Sequence, residues 1–347
     1  MTKNIAILGT GANGSCMAAD LIEAGHDVTL IDQWPAHIEA MRADGLRIEM
    51  DGNVQHVPVR AYHLCDVCTF DEKFDVVLLA MKAYDAVWAS QLIEPYLQPD
   101  GLLVGTQNGM MAEAIAAVVG RSRTLGCAYD VASQISTPGI VQRTLRQEDC
   151  WFGLGSLDPS TAGREEEVAE LLRHVGRVEV VPDILSAKWM KLTFNAMELT
   201  TAAMLGLSNS DALELPGMRT LMLRLGAEAL EAGESLGYQT VPILGLGPED
   251  VTDRTTVPEV LLDALKALLS TKTPNPDTRN TVLMDYDKGR KTEAASINGR
   301  VAQELERIGK PGAANAAVAE ISERIATGEL EPVITNLDLV QEMLATG

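Results

Sequence analysis

Positive charge is what this chain most lacks. Lysine and arginine total 28 against 49 aspartates and glutamates, a net charge of −21 over 347 residues. An excess of that size repels a nucleic-acid backbone or an anionic bilayer surface, so neither is expected as a partner. A small anionic ligand stays open, because a few local cations reverse the field inside a cleft. Long apolar runs are missing too. Residues 1–9 hold only a short apolar stretch, too brief for a signal core and shaped like a strand. The run Leu102–Val119 is broken by Gln107, Asn108 and Glu113, so it does not span a membrane. Cysteine is sparse and odd in number, five in all, which without an export signal suggests reduced thiols in a cytoplasm. The single C-x-x-C, Cys65 and Cys68, lacks the second ligand pair of a zinc ribbon. It also precedes a loop and strand instead of opening a helix, so incidental thiols are expected and no metal site. Internal repeats and low-complexity tracts are absent. What remains, 46% hydrophobic and 22% charged, is a globular composition long enough for two domains.

The stretch "NIAILGTGANGSCMAADLIEAGHDVTLID" carries the strongest motif. A short apolar strand (Ile5, Ile7, Leu8) runs into Gly9, Gly11 and Gly14, spaced G-x-G-x-x-G. A helical pattern follows from Ser15 to about Ala24, then a second strand ending in Asp32. Strand, glycine turn, helix, strand and terminal acid form the context in which the motif binds a dinucleotide. The glycines tighten the turn and let the backbone approach a pyrophosphate at the helix N-terminus. Gly9, Gly11, Ala12, Asn13 and Gly14 are therefore cofactor-binding candidates. A carboxylate at Asp32 accepts hydrogen bonds from an adenosine ribose and repels a 2′-phosphate, and no cation follows it until Arg42. NAD is expected over NADP. Further strands at "FDVVLLAMKAYD" and "GLLVGTQNGM" flank the helical "DAVWASQLIEPYL", the alternation of a doubly wound parallel sheet. Lys82 and Asn108 fall at the ends of those strands, where such sheets bind ligands, although strand-end polar residues also serve simply as turn formers.

After "RVEVVPDI" strand patterns vanish and helical ones run from Leu185 to Leu344, with Pro182–Asp183 a natural seam. Two domains are expected, a dinucleotide-binding Rossmann domain over residues 1–182 and an all-helical substrate domain over 183–347. The second opens with "KWMKLTFNAMEL", in which Lys191 and Asn195 share a helical face among apolar residues. The pair marks either a solvated edge or a group aimed into the cleft between the domains.

Five segments together resemble the ketopantoate reductase family and its 2-hydroxyacid dehydrogenase relatives. They are the Gly9–Gly14 motif, "MKAYD" at Lys82, "QNGM" at Asn108, "KWMKLTFN", and "DYDKGRKTEAASING" around Asp285, Glu293 and Asn298. The resemblance implies a Rossmann domain followed by an all-helical domain, and hydride transfer from a reduced nicotinamide to the carbonyl of a 2-oxo acid. It implies Lys191 as general acid, Glu293 holding the substrate, and Asn108 and Asn195 hydrogen-bonding in the active site. Leu199 and Asn209 join Lys191, Asn195 and Glu293 as substrate-site candidates, and a homodimer is expected. Three departures stand out: the acid at Asp32, Leu199 where the family commonly has an asparagine, and Ala294 where many members have an aspartate. Residues 245–280 also make a longer connection than in compact members. The leading expectation is an NAD-dependent 2-oxoacid reductase. The alternatives are an authentic NADP-dependent ketopantoate reductase and a non-catalytic nicotinamide-sensing module.

Overall fold

The computed structural model of the chain describes residues 3–271 and 279–346. It divides into two compact units, Met1–Leu185 and Ser186–Gly347. Part of the long connection expected over residues 245–280 lies outside the described residues.

In the first unit β1 (Asn4–Leu8), α1 (Ala12–Glu23) and β2 (Asp27–Asp32) form the opening βαβ segment. Next come α2 (Pro35–Asp44), β3 (Leu46–Met50), β4 (Asn53–Val57), β5 (Arg60–His63) and β6 (Phe74–Leu79). The chain continues through α3 (Ala86–Ile93), β7 (Leu97–Gly105), α4 (Ala112–Val119), β8 (Thr124–Asp130), β9 (Ser133–Thr137) and β10 (Ile140–Arg143). The unit ends with β11 (Trp151–Ser156), α5 (Glu165–Leu172) and β12 (Arg177–Val180). Eight strands make one sheet in the order β5-β2-β1-β6-β7-β8-β11-β12. From β5 to β8 every pair is parallel, and β11 then runs antiparallel to β8. The strand order reverses direction between β1 and β6, which marks the sheet as doubly wound. Its central strands are apolar on both faces, as helix cover on each side requires. Leu8, Ile31, Val77, Leu79 and Leu103 are all buried in one core.

A second sheet, β4-β3-β10-β9, was not read from the sequence. The helix after the glycine motif also begins at Ala12, three residues before the expected Ser15. Gly11, in an extended conformation, serves as N-cap, so the helix starts directly on the glycine turn. The C-x-x-C occupies a 3-10 turn, Leu64–Thr69, ahead of β6. All five cysteines are free thiols, with only Cys65 and Cys68 exposed.

The second unit is helical throughout its described residues. Its elements are α6 (Ile184–Ala203, which begins just before the division), α7 (Asn209–Leu213), α8 (Met218–Ser235) and α9 (Val257–Thr271). They continue with α10 (Thr281–Asp287), α11 (Asn298–Arg307), α12 (Ala313–Ala326) and α13 (Asn336–Thr346). The apolar stretch "VPEVLLDALKALL" in the long connection is α9. No helix among the described residues is long and apolar enough to cross a membrane.

Candidate active site

In the first unit, four strands end in line. Ile31, Leu8, Leu79 and Gly105 are register partners across β2, β1, β6 and β7. Asp32, the last residue of β2, therefore lies at the carboxyl edge of the sheet, and Gly9, Lys82 and Asn108 lie just past it. The edge is pinned by the Leu79 carbonyl, which accepts the Thr106 N–H at 3.1 Å, the Thr106 hydroxyl at 2.9 Å and the Gln107 amide at 2.6 Å. Gln107 is thus a structural neighbour of half-buried Asn108.

The glycine turn separates into two kinds of position. A Cβ on Gly9, whose φ is +101°, would sit 2.6 Å from Ala80 C and Met81 N. A Cβ on Gly14 would sit 2.2 Å from the Gly9 carbonyl oxygen. These two glycines are demanded by the chain itself. A Cβ on Gly11 would meet nothing within 4 Å, so its lack of a side chain leaves open space at the N-terminus of α1. No side chain caps that terminus. An uncapped helix start with room for a ligand beside Gly11 suits a diphosphate. The Asn13 side chain is committed to the protein, accepting from Ser133 Oγ at 2.7 Å and facing Tyr129 Oη at 3.3 Å. What Asn13 and Ala12 offer a phosphate is their backbone.

Asp32 is 7% exposed, and its Oδ1 accepts the Trp34 N–H at 2.8 Å. The next cation in sequence, Arg42, is fully engaged. Its Nε donates to the Ala61 carbonyl at 2.8 Å, and its two terminal nitrogens reach Glu39 at 3.0 Å and Asp66 at 2.6 Å. The thiols nearby are inert. Burial pushes Cys16 up to about 12 and Cys150 up to about 11, with Arg143 only partly offsetting it, so both stay protonated at neutral pH.

In the second unit, α6 is buried on every side from Ser186 to Ala203. A polar group in such a helix must find a partner or cost free energy. Ser186 Oγ accepts the Gln239 N–H at 2.8 Å, and the Thr193 and Thr201 hydroxyls donate to the carbonyls of Trp189 and Met197. The remaining charged or amide groups, Lys188, Lys191, Asn195 and Glu198, are 3%, 6%, 2% and 6% exposed. At about 100° per residue they fall within one sector roughly 80° wide. Leu199, 8% exposed, borders that sector beside Asn195. The opposite side is locked to α8, where two glycines admit large side chains. A Cβ on Gly233 would meet Trp189 Nε1 at 2.2 Å, and one on Gly226 would meet Met197 Sδ at 2.8 Å. Trp189 Nε1 also donates to the Ala229 carbonyl at 2.8 Å. Seating Trp189 and Met197 fixes the rotation of α6 and turns the polar sector away from α8. The Lys191 ammonium rides 4.4 Å from the centre of the Phe194 ring.

The turn bearing Glu293, itself 3% exposed, is tied to the same helix by Asn298. Asn298 Nδ2 donates to the Ala196 carbonyl at 3.0 Å and to Asn315 Oδ1 at 3.0 Å. Asp285, also quoted in this segment, is buried on α10. Asn209 donates through Nδ2 to Glu198 and accepts from Asn280 at 2.8 Å, while Asn280 also donates to the Leu199 carbonyl at 2.9 Å. The Asn209 side chain therefore joins a clamp linking α6, α7 and the cap of α10. Glu198 was missed in the sequence. Its signal was there to find, since it lies seven residues, about two turns, beyond Lys191.

The family model described as "Ketopantoate reductase PanE/ApbA" matches residues 5–156, and that of its C-terminal part matches residues 183–326. A 2-dehydropantoate 2-reductase of Archaeoglobus fulgidus is 24% identical over 328 residues, covering 94% of this chain and 99% of its own. Another from Mesorhizobium japonicum is 30% identical over 257 residues, covering 68% of this chain and 77% of its own. Among solved structures, the fold is shared with a D-mandelate dehydrogenase in ternary complex with NADH and anilino(oxo)acetate. The TM-score is 0.79 at 18% identity, covering 94% of this chain and 98% of the other. Matched through both of its parts, the chain belongs to the ketopantoate reductase family of oxidoreductases.

Proposed function

We propose that the protein is an NAD-dependent 2-oxoacid reductase, working equally as a 2-hydroxyacid dehydrogenase, with Lys191 as general acid. The observation that carries this is the polar sector of α6, where Lys191 and Asn195 are buried one turn apart on an otherwise apolar helix. In this reading residues 1–182 bind the dinucleotide and residues 183–347 the substrate. The glycine turn cradles the pyrophosphate with the backbone of Gly11, Ala12, Asn13 and Gly14. Asp32 accepts from the adenosine ribose, and Lys82 and Asn108 line the sheet edge beyond β6 and β7. A bound nicotinamide supplies or takes up the hydride. Lys191 donates a proton to the carbonyl oxygen as negative charge develops there, and an ammonium held out of water stabilises that charge most effectively. Asn195 hydrogen-bonds beside it, and Glu293 helps hold the substrate.

Two features support NAD over NADP. Asp32 would repel a 2′-phosphate, and Arg42 is already shared by Glu39, Asp66 and the Ala61 carbonyl. The apolar Leu199 supports a substrate other than ketopantoate, whose extra hydroxyl wants a polar partner. Burying a hydroxyl without one costs about 1–3 kcal/mol. 2-Oxo acids with apolar tails, or with polar groups placed toward Glu198, suit this wall better, in keeping with the aromatic oxo acid held by the D-mandelate dehydrogenase. One finding favours the second reading, authentic 2-dehydropantoate 2-reductase, namely that the Archaeoglobus relative of that name is matched over 99% of its length. The deciding experiment is kcat/KM for ketopantoate and for apolar 2-oxo acids, each with NADH and NADPH, in wild type and Leu199→Asn. The expected result is better use of NADH and of apolar substrates, with the variant shifting toward ketopantoate by roughly tenfold, the worth of one hydrogen bond. Strong preference of the wild type for ketopantoate would establish the second reading. Absence of NADH or NADPH oxidation across the whole panel would favour a sensing module.

A further inference from the structure

The glycine turn is braced from the small second sheet at two points, and one brace runs through a residue with no role so far. His37, on α2, is fully buried. Its Nδ1 accepts the N–H of Gly139, in the β9–β10 turn, at 2.8 Å. Its Nε2 lies 3.3 Å from Ser15 Oγ, and Ser15 Oγ lies 2.8 Å from the Thr10 carbonyl oxygen. The amide proton at Nδ1 sets the order of donors. Because Nδ1 accepts an amide proton, the ring is neutral and carries its hydrogen on Nε2. The Thr10 carbonyl can only accept, so the Ser15 hydroxyl donates to it and receives from His37. The relay runs His37 Nε2–H to Ser15 Oγ–H to Thr10 C=O. The second brace is the Asn13 side chain, held by Ser133 at the start of β9.

The end of the relay falls at a place where direction matters. A trans peptide is planar, so its C=O and the following N–H point opposite ways. Pinning the Thr10 carbonyl toward Ser15 therefore turns the Gly11 N–H to the other side, away from α1. Gly11 is the glycine whose missing side chain leaves open space at the helix start. Without the pin, the Thr10–Gly11 peptide can turn about Thr10 ψ and Gly11 φ, and a glycine accepts either sign of φ, so a flip would present the Thr10 carbonyl oxygen to an anion. The imidazole also stacks on Trp34, with ring centres 5.4 Å apart, and Trp34 N–H donates to Asp32 at 2.8 Å. One buried ring thus backs both the pyrophosphate end and the ribose end of the cofactor site.

We propose that His37 is a positioning residue for the dinucleotide, acting through Ser15 to hold the Thr10–Gly11 peptide in the orientation that donates to the pyrophosphate. The proposal rests on the reading of the glycine turn as the nicotinamide-cofactor site. A buried histidine serving only the core would influence stability and leave cofactor affinity alone once the protein is folded.

The test is calorimetric titration of NADH into wild type, Ser15→Ala, His37→Asn and His37→Gln, at a temperature where circular dichroism shows each to be folded. Ser15→Ala removes only a hydroxyl from a helix that favours alanine, so it decides the matter alone if a His37 variant does not fold. Ser15→Ala and His37→Asn are each expected to weaken NADH about tenfold, the worth of one donor to a charged phosphate. The double variant should be no worse than either single one, because both cut the same relay. His37→Gln, which places an amide donor near the Nε2 position, should recover part of the loss. In turnover assays KM for NADH should rise by more than kcat falls. Wild-type affinity in folded Ser15→Ala would overturn the proposal while leaving the cofactor reading intact. Failure of wild type to bind either NADH or NADPH would overturn both.

Discussion

Gly11→Ala separates a glycine kept for a ligand from glycines kept for the fold. Gly11 has φ −63° and ψ −161°, open to any residue, and its added Cβ would have no neighbour within 4 Å. Alanine is a poorer N-cap than glycine, whereas losing a glycine reduces the entropy of the unfolded chain. The two effects oppose each other at up to about 1 kcal/mol each. The melting midpoint should therefore move by no more than about 2–4 °C. Gly14→Ala is different, because its Cβ would sit 2.2 Å from the Gly9 carbonyl oxygen, and backbone cannot swing aside as a side-chain tip can. That overpacking should cost about 3 kcal/mol or more. In the presence of cofactor the Gly11 variant should show its defect. A methyl in the cradle displaces the pyrophosphate from at least one backbone donor, worth about 1.5–3 kcal/mol, and weakens NADH roughly ten- to hundredfold. At NADH one hundred times the wild-type Kd, ligand stabilises wild type by about 2.7 kcal/mol and a thirtyfold weaker variant by only about 0.9 kcal/mol. Thermal unfolding with and without NADH reads both quantities in one instrument. Wild-type NADH stabilisation in Gly11→Ala, or a wild-type midpoint in Gly14→Ala, would refute the division.

Lys191→Ala should lower kcat by roughly 10²–10⁴ while the Kd for NADH, by calorimetry, stays near wild type; if turnover survives, the general acid lies elsewhere and Lys82 is the next residue to replace. Asp20→Asn should destabilise the fold by about 3–5 kcal/mol in denaturant titration, because Arg143 Nη1 meets both carboxylate oxygens at 2.9 and 2.8 Å and both residues are buried. A change below 1 kcal/mol would mean that Arg143 finds another counter-charge. Thiol labelling of the native protein should modify Cys65 and Cys68 and spare Cys16, Cys127 and Cys150, with all five reacting after denaturation. Peptide mapping of the labelled sites checks this directly.

The opening βαβ segment was legible because its signals are local. Gly9, Gly11 and Gly14 are read from spacing, and the turn that carries them spans only six residues. The small second sheet was not, because its pairing is long-range. β3 pairs with β10, with Ile48 opposite Val141, and no short-range pattern announces a partner more than ninety residues away. His37 was invisible for the same reason: its partners are Ser15 and Gly139, and neither distance in sequence corresponds to a helical or strand period.

The polar sector of α6 shows the opposite case, a pattern present in the sequence but read too narrowly. Lys191 and Asn195 stand out in the sequence as a pair on one face, with Leu199 beside them as a substrate-site candidate. The helix continues that face through Glu198 as well, at about −20° from Lys191, with Leu199 at about 80°. The difference bears on substrate choice. An apolar wall beside Asn195 discriminates weakly, by the transfer energy of the groups that touch it. In the proposed reading, the Glu198 carboxylate, in line with Lys191 and held by the Asn209 amide, would discriminate against a second anionic group on the substrate, because like charges out of water repel with little screening. The sequence pattern alone ranked Leu199 above Glu198. In that reading burial reverses the order, since a 6% exposed carboxylate on the same sector as the proposed general acid would constrain a charged substrate more than a leucine would.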